Sequence, residues 1–249
     1  MSTTEAKLED VSQRLAGQTV VVIGGSSGIG LQTARLVRRL GADLILAARE
    51  DDRLREVGRE LDAPVSGFDA LEPGRVERFF EELESPIDHV LLTGPGPYYA
   101  SLAELDFERA ARDVDAHLFL PLRVARAAAG RARAGGTLIF MIGAGARRVA
   151  PGLGLTPAFT AGMPALARTM ALELAPVRVN VIAAGFVDTP LSAHVLGGQL
   201  DARRRQLRET LPIGRVVEPE DIAALAAHLM ANTAITGATY DIDGGEQLL

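Results

Sequence analysis

Short β-branched apolar runs alternate with stretches of helical periodicity along nearly the whole chain, and that alternation leaves few folds open. Residues 19–24 (TVVVIG), 43–48 (DLILAA), 64–68, 88–93, 137–142 (TLIFMI), 177–183 (VRVNVIA) and 238–242 read as strands. Residues 31–40, 51–61, 71–83, 107–134, much of 155–174 and 218–231 read as helices. Runs such as 19–24 are apolar on both faces, as strands of a parallel sheet covered by helices must be. The expected fold is therefore α/β, a doubly wound parallel sheet of about seven strands with helices on both faces. At 249 residues, with no fixed-period repeat and no long linker, residues 1–249 are expected to form one domain. Residues 1–16 read as a polar leader. The least regular segment, 187–212, follows a strand's carboxyl end, where such sheets bind ligands, and reads as a substrate lid.

The turn from the first strand into the first helix is Gly24-Gly25-Ser26-Ser27-Gly28-Ile29-Gly30. Glycines let the backbone turn sharply and approach a pyrophosphate, and the amides that open the helix offer donors and a partial positive charge. Placed between a strand and a helix, the pattern points to a dinucleotide site rather than a ligand-free turn. About 20 residues further on, where a carboxylate would grip the ribose diol of NAD, the second strand ends in Ala48-Arg49. Two readings of Arg49 are open: a fork for the 2′-phosphate of NADP(H), or a strand-end cation paired with Glu50 or Asp51. Asp69, followed by Ala70, closes the third strand and either accepts from an adenine amino group or turns the chain.

Charge and composition remove several classes of partner. A net charge of −6 argues against nucleic acid. No run approaches the roughly 20 apolar residues of a membrane span, and the start MSTTEAKLED is unlike a signal peptide, so a cytoplasmic location without a membrane partner is expected. With no cysteine there are no disulfides, thiolate nucleophiles or cysteine metal sites, and no metal is expected. Lys7 is the only lysine among 26 basic residues, and tyrosine occurs only at Tyr98, Tyr99 and Tyr240. Because Lys7 precedes the first strand, chemistry that needs a lysine in a central site is not expected.

From Gly17 to its end the chain resembles the short-chain dehydrogenase/reductase family, whose fold is Rossmann-type. The resemblance is carried by Gly24, Gly28 and Gly30, by Asp69, by Arg178-Val179-Asn180-Val181 leading into Ala184-Gly185-Phe186-Val187-Asp188-Thr189-Pro190, and by Asp243-Gly244-Gly245. It implies a nicotinamide cofactor, with Arg49 favouring NADP(H) over NAD(H), held by Gly24, Ser26, Ser27, Gly28, Ile29, Gly30, Arg49, Asp69, Ala70 and Gly94. It further implies that the Val187 backbone and the Thr189 hydroxyl contact the nicotinamide end. A homotetramer or homodimer is expected, with the two long helices paired across a two-fold axis.

The same resemblance fails in the acid–base half. In the family a tyrosine gives the proton, a lysine lowers its pKa, a serine holds the carbonyl oxygen and an asparagine organises a relay water. Counting back from Arg178-Val179-Asn180 puts Phe159 at the tyrosine position and Met163 at the lysine position. The serine position falls on Gly143 or Ala144, and the asparagine position near Asp115 to His117, with Pro121 favouring His117. After the fourth strand the family's Asn-Asn-Ala-Gly reads Thr93-Gly94-Pro95-Gly96. Pro164 would cost a helix about 3 kcal/mol unless the helix begins there. Candidate replacements are His117, Tyr98, Tyr99 and Arg147 with Arg148, and more weakly His194. Each has a plainer reading as a packed histidine, a wall aromatic or a solvated cation. His89 and His228 read as structural.

The leading function is an NADP(H)-dependent oxidoreductase acting on a carbonyl, hydroxyl or enone small molecule, with an unusual residue or the substrate supplying the proton. The other classes are a nucleotide-binding sensor or partner subunit without turnover, and a non-redox dehydratase or cyclase. Ala193, Val195 and Leu196 suggest an apolar ligand.

Overall fold

The computed structural model describes residues 14–144, 147 and 149–249; Lys7, most of the polar leader and Arg148 lie outside the described residues. Strand β1 (Thr19–Ile23) leads into α1 (Gly28–Arg39), followed by β2 (Asp43–Ala48), α2 (Asp52–Leu61), β3 (Val65–Gly67), α3 (Arg75–Glu81) and β4 (Ile87–Leu92). Next come α4 (Phe107–Val114), a π-helical turn (Asp115–Phe119), α5 (Leu120–Ala129), β5 (Ala132–Gly143), α6 (Thr156–Glu173) and β6 (Arg178–Ala184). Helices α7 (Pro190–Leu196), α8 (Leu200–Thr210) and α9 (Pro219–Ala231) precede β7 (Thr239–Ile242). The seven strands pair in parallel in the order β3-β2-β1-β4-β5-β6-β7, the doubly wound Rossmann-type sheet expected from the alternation. The winding direction reverses between β1 and β4, which leaves a crevice at the strands' carboxyl ends.

Alternate residues of each strand feed opposite cores. Val21, Val90, Leu138, Phe140 and Val181 pack on one face, and Val20, Val22, Leu44, Leu46, Ile139 and Ile182 on the other. Each such side chain contributes about 1.5–3 kcal/mol by leaving water, which is why the continuous apolar runs must be central strands. Among the described residues no helix is long and apolar enough to cross a membrane.

Three expectations about elements are corrected. The helix expected over 107–134 is broken and shorter. Pro121 has no amide to continue an α-helical ladder, and the chain passes through the π-helical turn before α5. Beyond Ala129 the Arg-Ala repeat joins β5 instead: the Ile87 amide donates to the Arg131 carbonyl at 2.9 Å, and Arg133 meets Asp88 at 2.6 Å. The second correction concerns 187–212, where α7 and α8 make the segment regular rather than irregular. Bidentate Arg204–Asp188 contacts at 2.8 Å and an Arg203–Glu246 pair fasten α8 to the body. Third, α6 runs through Pro164 without ending, with Met163, Ala167 and Met170 buried on either side of it.

Candidate active site

The glycine turn forms one wall of a groove of about 430 Å³ that also takes in Ser26, Ser27, Gly28, Ile29, Arg49, Asp69, Ala70, Gly94 and Thr189. The turn tolerates no side chain where it is tightest. Gly24 has φ 91° and a Cβ there would stand 2.0 Å from Thr93 Oγ1, while a Cβ on Gly30 would stand 2.2 Å from the Gly24 carbonyl oxygen. Ser27 caps α1 without a side-chain hydrogen bond, and no acidic residue sits in the first turn. The opening amides of α1 are therefore left for an anion, and a pyrophosphate fits this cradle.

Arg49 is exposed at the end of β2, on the rim of the same groove, and forms no hydrogen bond or ion pair among the described residues. Its two neighbouring acids are engaged elsewhere. Glu50 pairs with Arg55 at 3.0 Å, and Asp51 caps α2 by accepting from the Leu54 amide at 2.7 Å. Asp69 accepts from the Leu71 amide at 2.9 Å, so one carboxylate oxygen serves the turn.

An adjoining cleft of about 450 Å³ opens over the carboxyl ends of β5 and β6, beside α7. Its walls are mostly apolar: Ile29, Met141, Leu153, Phe159, Phe186, Val187, Leu191, Val195 and Leu196 line it. Tyr99 and His117 line it as well, with Arg203 and Glu246. Thr160, another lining residue, spends its hydroxyl on the Gly143 carbonyl at 2.8 Å. The Thr156 hydroxyl is buried with no partner.

His117 stands in the π-helical turn with its ring stacked on Phe159, centroids 5.1 Å apart and planes 8° from parallel. Its Nδ1 lies 3.0 Å from both the Asp113 carbonyl and Asp113 Oδ1. Burial opposes protonation of the ring, but the hydrogen bonds and charge of Asp113, with the Pro95 carbonyl, outweigh it and raise the His117 pKa above its ordinary value. Burial, then Asp113 and Glu246, raise the pKa of the Tyr99 phenol, which keeps it protonated.

A family model described as Enoyl-(Acyl carrier protein) reductase matches residues 23–247. The chain belongs to the short-chain dehydrogenase/reductase family. Curated relatives include short-chain dehydrogenase/reductase ATR9 of Stachybotrys chlorohalonatus, 27% identical over 93% of this chain and 97% of its own. Another is fsr5 of Gibberella fujikuroi, 29% identical over 98% of this chain and 99% of its own. Among solved structures, the MalC reductase/Diels–Alderase of Malbranchea aurantiaca superposes with TM-score 0.84 at 26% identity, covering 96% of this chain and 100% of that one. A small-chain dehydrogenase solved in complex with NADPH gives 0.81 at 26% identity over 94% and 100%. This is a family of NAD(P)-dependent oxidoreductases.

The described candidate residues take different positions relative to the cleft. Phe159 faces the cleft; Met163 is fully buried and does not line it. Gly143 lines the cleft, whereas Ala144 is buried beside it. Val187 lines the cleft, and Thr189 lines both cleft and groove while capping α7 through the Ser192 amide at 3.2 Å. Of the candidate replacements, the structure brings His117 and Tyr99 into the cleft. It places two others elsewhere. The Tyr98 hydroxyl accepts from the Asp106 amide at 3.1 Å under the Arg109 guanidinium, and Arg147 pairs with Asp241 at 2.6 Å. His194 is exposed on α7. The residue that sequence reasoning missed is Asp113; the signal available was its spacing of four from His117 within a helical stretch.

Proposed function

We propose that the chain is an NADP(H)-dependent oxidoreductase that acts on a carbonyl, hydroxyl or enone group of an apolar small molecule, with His117 as its proton donor. The observation that carries the reading is the His117–Phe159 stack. It puts an ionisable ring, favoured in its protonated form, beside the position where the family's tyrosine would stand. A bound nicotinamide supplies or takes up the hydride. The groove's glycines and the first amides of α1 receive the pyrophosphate, Arg49 forks the 2′-phosphate, and Val187 and Thr189 hold the nicotinamide end. The cleft's apolar walls exclude water and orient the ligand, and α7 and α8 act as its lid. During reduction, as negative charge develops on the substrate oxygen, His117 releases its proton to that oxygen and becomes neutral. In oxidation the neutral ring takes the proton back.

Support for the phosphate preference comes from the unpartnered Arg49 and from the solved relative that holds NADPH. The description of MalC as both reductase and Diels–Alderase favours a second reading, non-redox chemistry in the same cleft. NADPH oxidation, followed optically with apolar cyclic ketones and enones, separates the two. The wild type consumes NADPH, His117→Ala loses about 100-fold or more of the rate with cofactor affinity unchanged, and Arg49→Ala weakens NADPH but not NADH. Full activity in His117→Ala hands the proton to the substrate. Tight binding without consumption by the wild type returns the chain to the non-redox or sensor classes.

A further inference from the structure

Asp113 lies at the carboxyl-terminal end of α4, one helical turn before His117, and is nearly inaccessible. Its Oδ1 sits 3.0 Å from His117 Nδ1 and accepts the Tyr98 amide at 3.2 Å. The second carboxylate oxygen is buried without a protein hydrogen-bond partner. Among the described residues, three groups face the imidazole. They are Asp113 from its own helical stretch, the Pro95 carbonyl from the loop after β4, and the uncharged Phe159 ring from α6. Of these only Asp113 carries charge. The Tyr99 phenol, whose neighbours include Asp113, is pushed up by burial and stays neutral in the range where a histidine titrates.

We propose that Asp113 is a positioning residue: anchored by the Tyr98 amide, its carboxylate fixes the proton on His117 Nδ1, orients the ring against Phe159 and leaves Nε2 as the nitrogen that exchanges a proton with the ligand. The inference rests on the reading of His117 as proton donor. In reduction the Nε2–H bond of the imidazolium breaks and an O–H bond forms on the substrate; Nδ1 keeps its proton and Asp113 stays a carboxylate throughout. This also gives the loop after β4 a purpose. Tyr98 is not a donor but, through its amide, holds the residue that orients one.

The test reads the ring itself and needs no substrate. His117 resonances, assigned by their loss in His117→Gln, are followed by NMR against pH in the wild type, Asp113→Asn and Asp113→Glu. The expected result is a neutral wild-type ring protonated at Nδ1, a midpoint that falls by about one pH unit or more in Asp113→Asn, and partial recovery in Asp113→Glu. With a turned-over substrate, kcat falls in Asp113→Asn while KM holds. A wild-type ring protonated at Nε2 overturns the proposal even if Asp113→Asn does not fold, and an unchanged midpoint in a folded Asp113→Asn does the same. Because these readouts come from the free protein, an Asp113-dependent titration alongside full activity in His117→Ala sinks the donor reading alone.

Discussion

His89 shows what the sheet does to an ionisable side chain. It is 2% exposed on β4, with Nε2 2.7 Å from Gln18 Oε1 and Nδ1 buried without a partner. Burial, with the nearby Arg178 charge, lowers its pKa from 6.5 to about 4. In the unfolded chain His89 takes up a proton near pH 6.5; the folded chain resists until about pH 4. Its contribution is thus fully present above pH 6.5 and fades as pH falls toward 4, a loss of about 3 kcal/mol. Urea unfolding should show a midpoint that declines across that window, less steeply in His89→Leu; a slope unchanged by the substitution contradicts the assignment. His117, raised instead, acts in the opposite sense, its contribution fading as pH rises through its folded value. Both histidines were visible in the sequence, His89 as structural and His117 as a candidate donor. Asp113 was not, because its reach to His117 depends on how the chain passes through the π-helical turn, and Tyr98 and Arg147 were indistinguishable from Tyr99 until their partners Asp106 and Asp241 appeared.

At the scale of elements, Arg178 joins β6 to the end of α9. Its guanidinium donates to the carbonyls of Leu229, Met230, Asn232 and Ile235 at 2.8, 2.8, 3.1 and 3.0 Å, and to Gly135 at 3.1 Å. All but that of Gly135 lie at or just beyond the carboxyl end of α9, where partial negative charge gathers, so a buried cation there replaces several missing amides. Arg178→Met should lower stability by at least about 3 kcal/mol, measured by denaturant unfolding, since it strands buried acceptors. A loss within 0.5 kcal/mol, about the size of an ordinary surface change, would show that water satisfies them. The Arg178-Val179-Asn180 run was legible as a family signature, yet its physical task was not, because the partners lie more than 40 residues away in the chain. The same distance explains the misread end of the 107–134 helix: residues 131–134 have good helical propensity, and only pairing with β4 draws them into β5. Strands β1, β2, β4 and β6 were legible almost to the residue because burial on both faces leaves runs dominated by apolar residues.

The whole molecule leaves large apolar side chains in water along 107–119 and on α6: Phe107 is 79% exposed, Phe119 52% and Leu172 83%. Together with the family's habit of pairing these helices, that exposure predicts a homodimer or homotetramer. Light scattering at micromolar concentration should give a multiple of 26.3 kDa, and Phe119→Asp with Leu172→Asp should shift it toward one. A wild-type monomer contradicts this. The central claim, that an imidazole has taken over from the tyrosine and lysine of the fold, is tested most directly by the pH dependence of NADPH-driven reduction in the wild type and His117→Ala. For a donor whose pKa is raised above 6.5, the rate should hold at acid pH, fall about tenfold per pH unit above that pKa, and lose the inflection in His117→Ala. A rate that varies with pH in the same way in both proteins would contradict the account.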